Sequence, residues 1–131
     1  MMASQRMKIV FGAMTIGKPG IEMTRVFTIE DNNTLLSTFT SYGHDEVDTT
    51  RVYGEGSSEE SLSQTDWKTK GLVMVTKLYP TEGKGGMLTK AYSHRPEVVR
   101  RGLKALQAEK IDTFYLLGPD RRVSWKGTLR R

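Results

Sequence analysis

Residues 71–78 read Gly-Leu-Val-Met-Val-Thr-Lys-Leu. A turn glycine precedes a run of β-branched and apolar side chains, Leu72–Leu78, which suits a strand covered on both faces. Its one charge, Lys77, falls at the carboxyl end. Upstream, Ser58 is placed to cap a short helix through Glu59, Glu60 and Leu62, and Glu46–Thr49 forms a brief strand. Further upstream, Thr28 followed by Asp31 is a helix-start signal. Leu35, Leu36, Phe39 and Tyr42 recur at helical spacing after it, and Gly43 is suited to end that helix. Lys8–Met14 reads as the first strand, and residues 15–27 form a loop through Gly17, Pro19 and Gly20.

Downstream of residue 78, a glycine-rich loop spans residues 79–92. Ser93 is a cap candidate, and Pro96 sits in the first turn of a helix reaching Lys110. Val99, Leu103 and Leu106 form its apolar stripe, with Gly102 and Ala105 beside it. Ile111–Leu117 is a fourth strand, Gly118-Pro119-Asp120 a turn, and Val123–Arg131 the start of a further helix. Strand and helix alternate, so the strands are expected to be parallel, with right-handed crossovers. Four such units make a small open sheet or half of an eight-unit barrel, which typically takes about 250 residues.

The chain has 131 residues, enough for one domain with a real core, and residues 1–7 are expected to form a flexible start. Hydrophobic residues make up 37% and charged residues 27%, which suits a soluble protein rather than a disordered one. The absence of cysteine excludes a disulfide framework, a thiolate metal site and a cysteine nucleophile. No apolar run is long enough for a membrane span and no secretory h-region opens the chain, so a cytoplasmic location is expected. The net charge of +5 divides into −1 over residues 1–90 and +6 over residues 91–131. That basic stretch lacks interleaved aromatics or a recognition motif, so no nucleic-acid surface is expected. His44 and His94 have no metal-ligand spacing. Gly54-Glu55-Gly56-Ser57-Ser58-Glu59 is an incomplete dinucleotide fingerprint, with Glu59 in place of its third glycine.

Three polar residues fall at or just past the carboxyl ends of the expected strands: Asp48, Tyr53 and Lys77. Parallel α/β folds gather their sites along that edge. A lysine beside a tyrosine favours the phenolate, and an aspartate beside the lysine keeps it charged and oriented. Such a trio suits proton donation to a carbonyl oxygen. Spacing alone equally allows Asp48 as a turn cap, Tyr53 as a packing residue and Lys77 as an exposed strand-end charge.

The segments EVDTTRVYGEGSSEESL (46–62), LVMVTKLYP (72–80), AYSHRPEVV (91–99) and KIDTFYLLGPD (110–120) resemble the aldo-keto reductase family. The nearest likeness is to the fungal form of its aflatoxin-aldehyde reductase branch. KIVFGAMTIGKPG (8–20) resembles the start of that branch, and the resemblance runs from Lys8 to Leu129. It implies the N-terminal half of a (β/α)8 TIM barrel, with about four parallel strands and three to four helices. It also implies NADPH-dependent reduction of an aldehyde or ketone, in a secondary-metabolism setting.

Carried over by motif, Asp48, Tyr53 and Lys77 match the Asp, the proton-donating Tyr and the Lys of the family tetrad. Leu117 stands where the tetrad His is expected, in the substrate pocket, and leucine donates no hydrogen bond. The helix from Pro96 to Lys110 is about a turn shorter than the family pattern implies. The family's main cofactor contacts come from its later half, so no residue here is assigned to NADPH. The resemblance therefore implies an impaired reductase. The alternatives are a non-catalytic truncated paralogue or fragment, and a cofactor-independent half-barrel that binds or isomerises a small molecule. The open edges of a four-strand sheet imply a homo-oligomer or a complementing chain as partner.

Overall fold

The computed structural model describes residues 7–78 and 96–118, together with Ser124 and Lys126. Four strands form one parallel sheet: β1 (Val10–Gly12), β2 (Glu46–Asp48), β3 (Val73–Leu78) and β4 (Thr113–Leu116). They lie side by side in sequence order. Gly12, Asp48, Val75 and Thr113 fall in one continuous register row across them. Helices α1 (Ile29–Ser41), α2 (Ser57–Ser63) and α3 (Pro96–Leu106) alternate with the strands, as expected for successive βα units.

The helices share one core with one side of the sheet. Leu36 of α1, Leu62 of α2 and Leu106 of α3 are fully buried in the same cluster as Val47 of β2 and Met74 of β3. Alternation along a strand sends Asp48 and Lys77, one and three residues on, to the opposite side. The sheet therefore has a helix-covered outer side and an inner side that carries the polar strand ends.

Local structure follows the sequence closely at α1. Thr28 has extended backbone, and its Oγ1 accepts from the Asp31 backbone N–H at 3.0 Å. Gly43, with φ of 80°, follows the helix end. Tyr42, read as part of the apolar stripe, is instead 73% exposed at the C-cap.

Other expectations need correction. The first strand is shorter than Lys8–Met14, because Ala13–Thr15 turns into a 3₁₀ helix. Within the loop that follows, Ile16 and Val26 form an isolated parallel bridge. Ser58 does not cap α2: the N-cap is Gly56, and Ser58 Oγ donates to the Ala13 carbonyl at 2.9 Å. This bond ties the start of α2 to the turn after β1. The third helix ends at Leu106 rather than Lys110, with Gln107 in a left-handed conformation (φ 51°). In its stripe Leu106 is buried, while Val99 and Leu103 are half-buried. The fourth strand contracts to Thr113–Leu116. The loop at 79–92 and Ser93 lie outside the described residues, as does most of the turn at 118–120 and of the stretch 123–131.

Candidate active site

Asp48 is the last residue of β2, and Lys77 lies two residues beyond its register neighbour Val75 on β3. A two-residue step keeps both side chains on one side of the sheet. Lys77 Nζ donates to Asp48 Oδ1 at 2.5 Å. The lysine side chain is 10% exposed and the aspartate 30%, so the pair is largely withdrawn from water. Tyr53 opens a 3₁₀ turn (Tyr53–Gly56) in the loop after β2. Its ring lies under the same ammonium, with Lys77 Nζ 5.0 Å from the ring centroid, within cation–π range. The three residues singled out in the sequence therefore converge on one point at the carboxyl edge.

Thr49, expected to end the second strand but lying just past it, and Thr50, given no role in the sequence reading, hold this loop to the sheet. The Thr49 backbone N–H donates to the Val75 carbonyl at 2.8 Å, and Thr50 Oγ1 donates to the Lys77 carbonyl at 2.9 Å. The Tyr53 N–H in turn donates to the Thr50 carbonyl at 3.1 Å. The Lys77 backbone and the Tyr53 turn are thus linked through one residue. The signal was Thr50 just past the strand, since a buried hydroxyl there needs a backbone partner.

Behind β3 lies a second polar set. Thr76 Oγ1 donates to Glu59 Oε1 at 2.6 Å, and Arg51 Nε lies 3.6 Å from Glu59 Oε2. Glu59 is fully buried. Burial holds its carboxyl above the usual glutamate range, against the opposing pull of the Thr76 hydrogen bond, Arg51 and Lys77. Arg51 also donates through Nη1 to the Gly56 carbonyl at 2.8 Å. Gly56 is needed there on two counts: its φ is 94°, and a Cβ would lie 2.5 Å from Arg51 Nη2. The glycine-serine stretch is thus the turn that seats Arg51 and starts α2.

Leu117 directly follows β4 and is 40% exposed. Tyr115 stands opposite Lys77 in register, and Leu117 lies in the bend just past the last paired residue, Leu116. The position is at the same carboxyl edge as the trio, with a side chain that donates nothing. His44 stacks on Phe39, with ring centroids 5.4 Å apart; His94 lies outside the described residues. No group of three or more metal-ligating side chains occurs among the described residues. An open groove of about 550 Å³ between α2 and α3 is lined by Arg51, Glu60, Arg101 and Lys104 among others, and by none of the trio.

The profile of the Aldo/keto reductase family matches residues 8–129. The chain belongs to this family. Aldo-keto reductase pigE of Monascus ruber is 47% identical over 131 residues, covering 95% of this chain and 38% of that protein. Aflatoxin B1 aldehyde reductase member 2 of Mus musculus is 31% identical over 121 residues, covering 84% of this chain and 30% of its own length. An aldo-keto reductase structure from Klebsiella pneumoniae, solved in complex with NADPH, superposes with a TM-score of 0.64 at 18% identity, over 92% of this chain and 38% of that one. That last likeness concerns fold alone. The aldo-keto reductase fold is a (β/α)8 barrel, and the four parallel strands with their helices are a partial half-barrel of it. The chain spans well under half the length of these relatives. No helix among the described residues is long and apolar enough to cross a membrane.

Proposed function

We propose that this aldo-keto reductase chain carries the proton-donating part of an NADPH-dependent reduction of an aldehyde or ketone. The observation that carries the reading is the convergence of Lys77 on both Asp48 and the Tyr53 ring at the carboxyl edge. In this reading Tyr53 is the catalytic residue, and its hydroxyl gives a proton to the carbonyl oxygen. Lys77 positions the ring and favours the phenolate left behind. Asp48 fixes the lysine's direction. The chemistry a bound nicotinamide supplies is the hydride, delivered to the carbonyl carbon to complete an alcohol.

The described residues suit the reacting end of such a site better than its phosphate end. The cations around the trio are already engaged: Lys77 by Asp48, Arg51 by Glu59 and Glu60, and Lys18 by Glu60. No residue is therefore assigned to the cofactor's phosphates. Leu117 further lowers turnover, because one positioned donor at a developing oxyanion is worth about 10²–10³ in rate. The same residue, being apolar, supports a second reading, in which the half-barrel binds or isomerises a small molecule without nicotinamide. A partial aldo-keto-reductase domain over residues 1–131, in a cytoplasmic, secondary-metabolite setting, completes the proposal.

The test is NADPH oxidation with a panel of aldehydes, comparing the natural chain with Tyr53→Phe. Slow turnover lost in Tyr53→Phe is the expected result. Turnover unchanged in Tyr53→Phe overturns the assignment, and turnover without nicotinamide establishes the second reading.

A further inference from the structure

The turn that carries Tyr53 is held in a conformation that a free chain avoids. Gly54, Glu55 and Gly56 have φ of 56°, 53° and 94° in succession. Glu55 is exposed and is not a glycine, so its left-handed backbone persists only under restraint from its surroundings.

Two side chains supply that restraint. Ser57 Oγ donates to the Gly54 carbonyl at 2.6 Å and accepts from the Lys18 backbone N–H at 3.0 Å. Arg51 Nη1 donates to the Gly56 carbonyl at 2.8 Å. The arginine therefore bridges the turn, from two residues before Tyr53 to three residues after it.

The other guanidinium nitrogens are held as well. Arg51 Nη2 lies 3.3 Å from Glu60 Oε1, and Nε lies 3.6 Å from Glu59 Oε2. Glu59 is fully buried, and its Oε1 accepts from Thr76 Oγ1, on the residue before Lys77. Its Oε2 makes no hydrogen bond among the described residues, so the guanidinium is the cation that faces it. Alternation along β3 puts Thr76 on the outer side and Lys77 on the inner side. The strand thus grips the turn from outside through Thr76 and Glu59, while Lys77 meets the Tyr53 ring from inside. A planar guanidinium serves three acceptors in fixed directions, whereas an ammonium acts from one point.

We propose that Arg51 is a positioning residue for the trio: its guanidinium fixes the Tyr53 turn against β3, so that the ring stays at the Lys77 ammonium. The role rests on the reading of Tyr53 as proton donor, but the place of the ring can be read without turnover.

The chain has five tyrosines, so labelling it with fluorotyrosine gives a small set of fluorine NMR resonances. Tyr53→Phe identifies the Tyr53 signal, and Lys77→Met gives its displacement when the cation leaves the ring. Arg51→Lys keeps a positive charge near Glu59 and Glu60 but gives up the fork to the Gly56 carbonyl. The expected result is a Tyr53 signal moved by most of that displacement, with the other tyrosine signals in place. Where the natural chain reduces an aldehyde, Arg51→Lys is expected to lower kcat about ten- to a hundredfold and to leave KM within about twofold. A Tyr53 signal that stays in place overturns the proposal, with or without turnover. Where Arg51→Lys collapses all the signals together, Arg51→Gln decides by the same readout. Collapse in both variants also overturns the proposal, because Arg51 then holds the whole fold. A displaced signal with unchanged turnover supports the clasp and overturns instead the reading of Tyr53 as donor.

Discussion

Lys77 and Asp48 are 29 residues apart in sequence, yet the lysine Nζ lies 2.5 Å from the aspartate Oδ1 across two neighbouring parallel strands. The lysine side chain is only 10% exposed. Breaking such a pair leaves a mostly buried charge without its counter-charge. Asp48→Asn is therefore expected to cost about 2 kcal/mol, discounted for the partial exposure of the aspartate. A lower urea midpoint at unchanged slope checks this, and an unshifted midpoint would show that water already screens the pair.

Glu59 sets a pH dependence. Its carboxyl is held above the usual range by burial, so between the ordinary glutamate value and the folded value the native state binds more protons than the unfolded state. The protonated side chain's contribution is complete below the unfolded value and is lost as pH rises through the folded one. Stability of the natural chain minus that of Glu59→Gln should fall with rising pH across that window. Denaturant melts at several pH values test the sign, and a difference that grows with pH would contradict the assignment.

Gly102 occupies the interior of α3, where a Cβ would meet nothing within 4 Å. Glycine there carries its entropic penalty, although, among the described residues, no atom lies where its Cβ would go. Gly102→Ala is expected to stabilise the fold by about 0.5–1 kcal/mol. The readout is the denaturation midpoint, and a loss of stability would place an unseen neighbour against that face.

Leu117 lies at the carboxyl edge of the sheet, two residues past Tyr115, the register partner of Lys77. Leu117→His restores a donor at the place where the family resemblance implies one. Carbonyl reduction is expected to rise by about tenfold or more, with most of the gain in kcat if the donor acts on the developing oxyanion. Unchanged kinetics would mean that the position does not reach the substrate.

Much of this was legible in the sequence for physical reasons that can be named. The apolar run at 72–78 is short, β-branched and preceded by Gly71, which favours a strand over a helix, and Thr28 with Asp31 makes a local cap that needs no tertiary partner. Asp48, Tyr53 and Lys77 were found because strand ends in parallel folds gather polar residues. What was missed depends on distant partners. Ser58 has the composition of a cap, but its hydroxyl serves the Ala13 carbonyl 45 residues away. Glu59 was expected only as part of a short helix, yet it turns inward to Thr76, 17 residues away. The third helix stops at Leu106 because Gln107 turns left-handed, and no glycine or proline marks that point.

The central claim is that this chain builds a site for a nicotinamide beside Tyr53 and Lys77. A thermal melt of the purified chain with and without NADPH addresses it most directly. A ligand that binds only the folded state stabilises it by about 2.7 kcal/mol at a hundredfold excess over Kd. The account predicts a cooperative transition whose midpoint rises with NADPH concentration. A cooperative transition whose midpoint stays fixed at every NADPH concentration would contradict it.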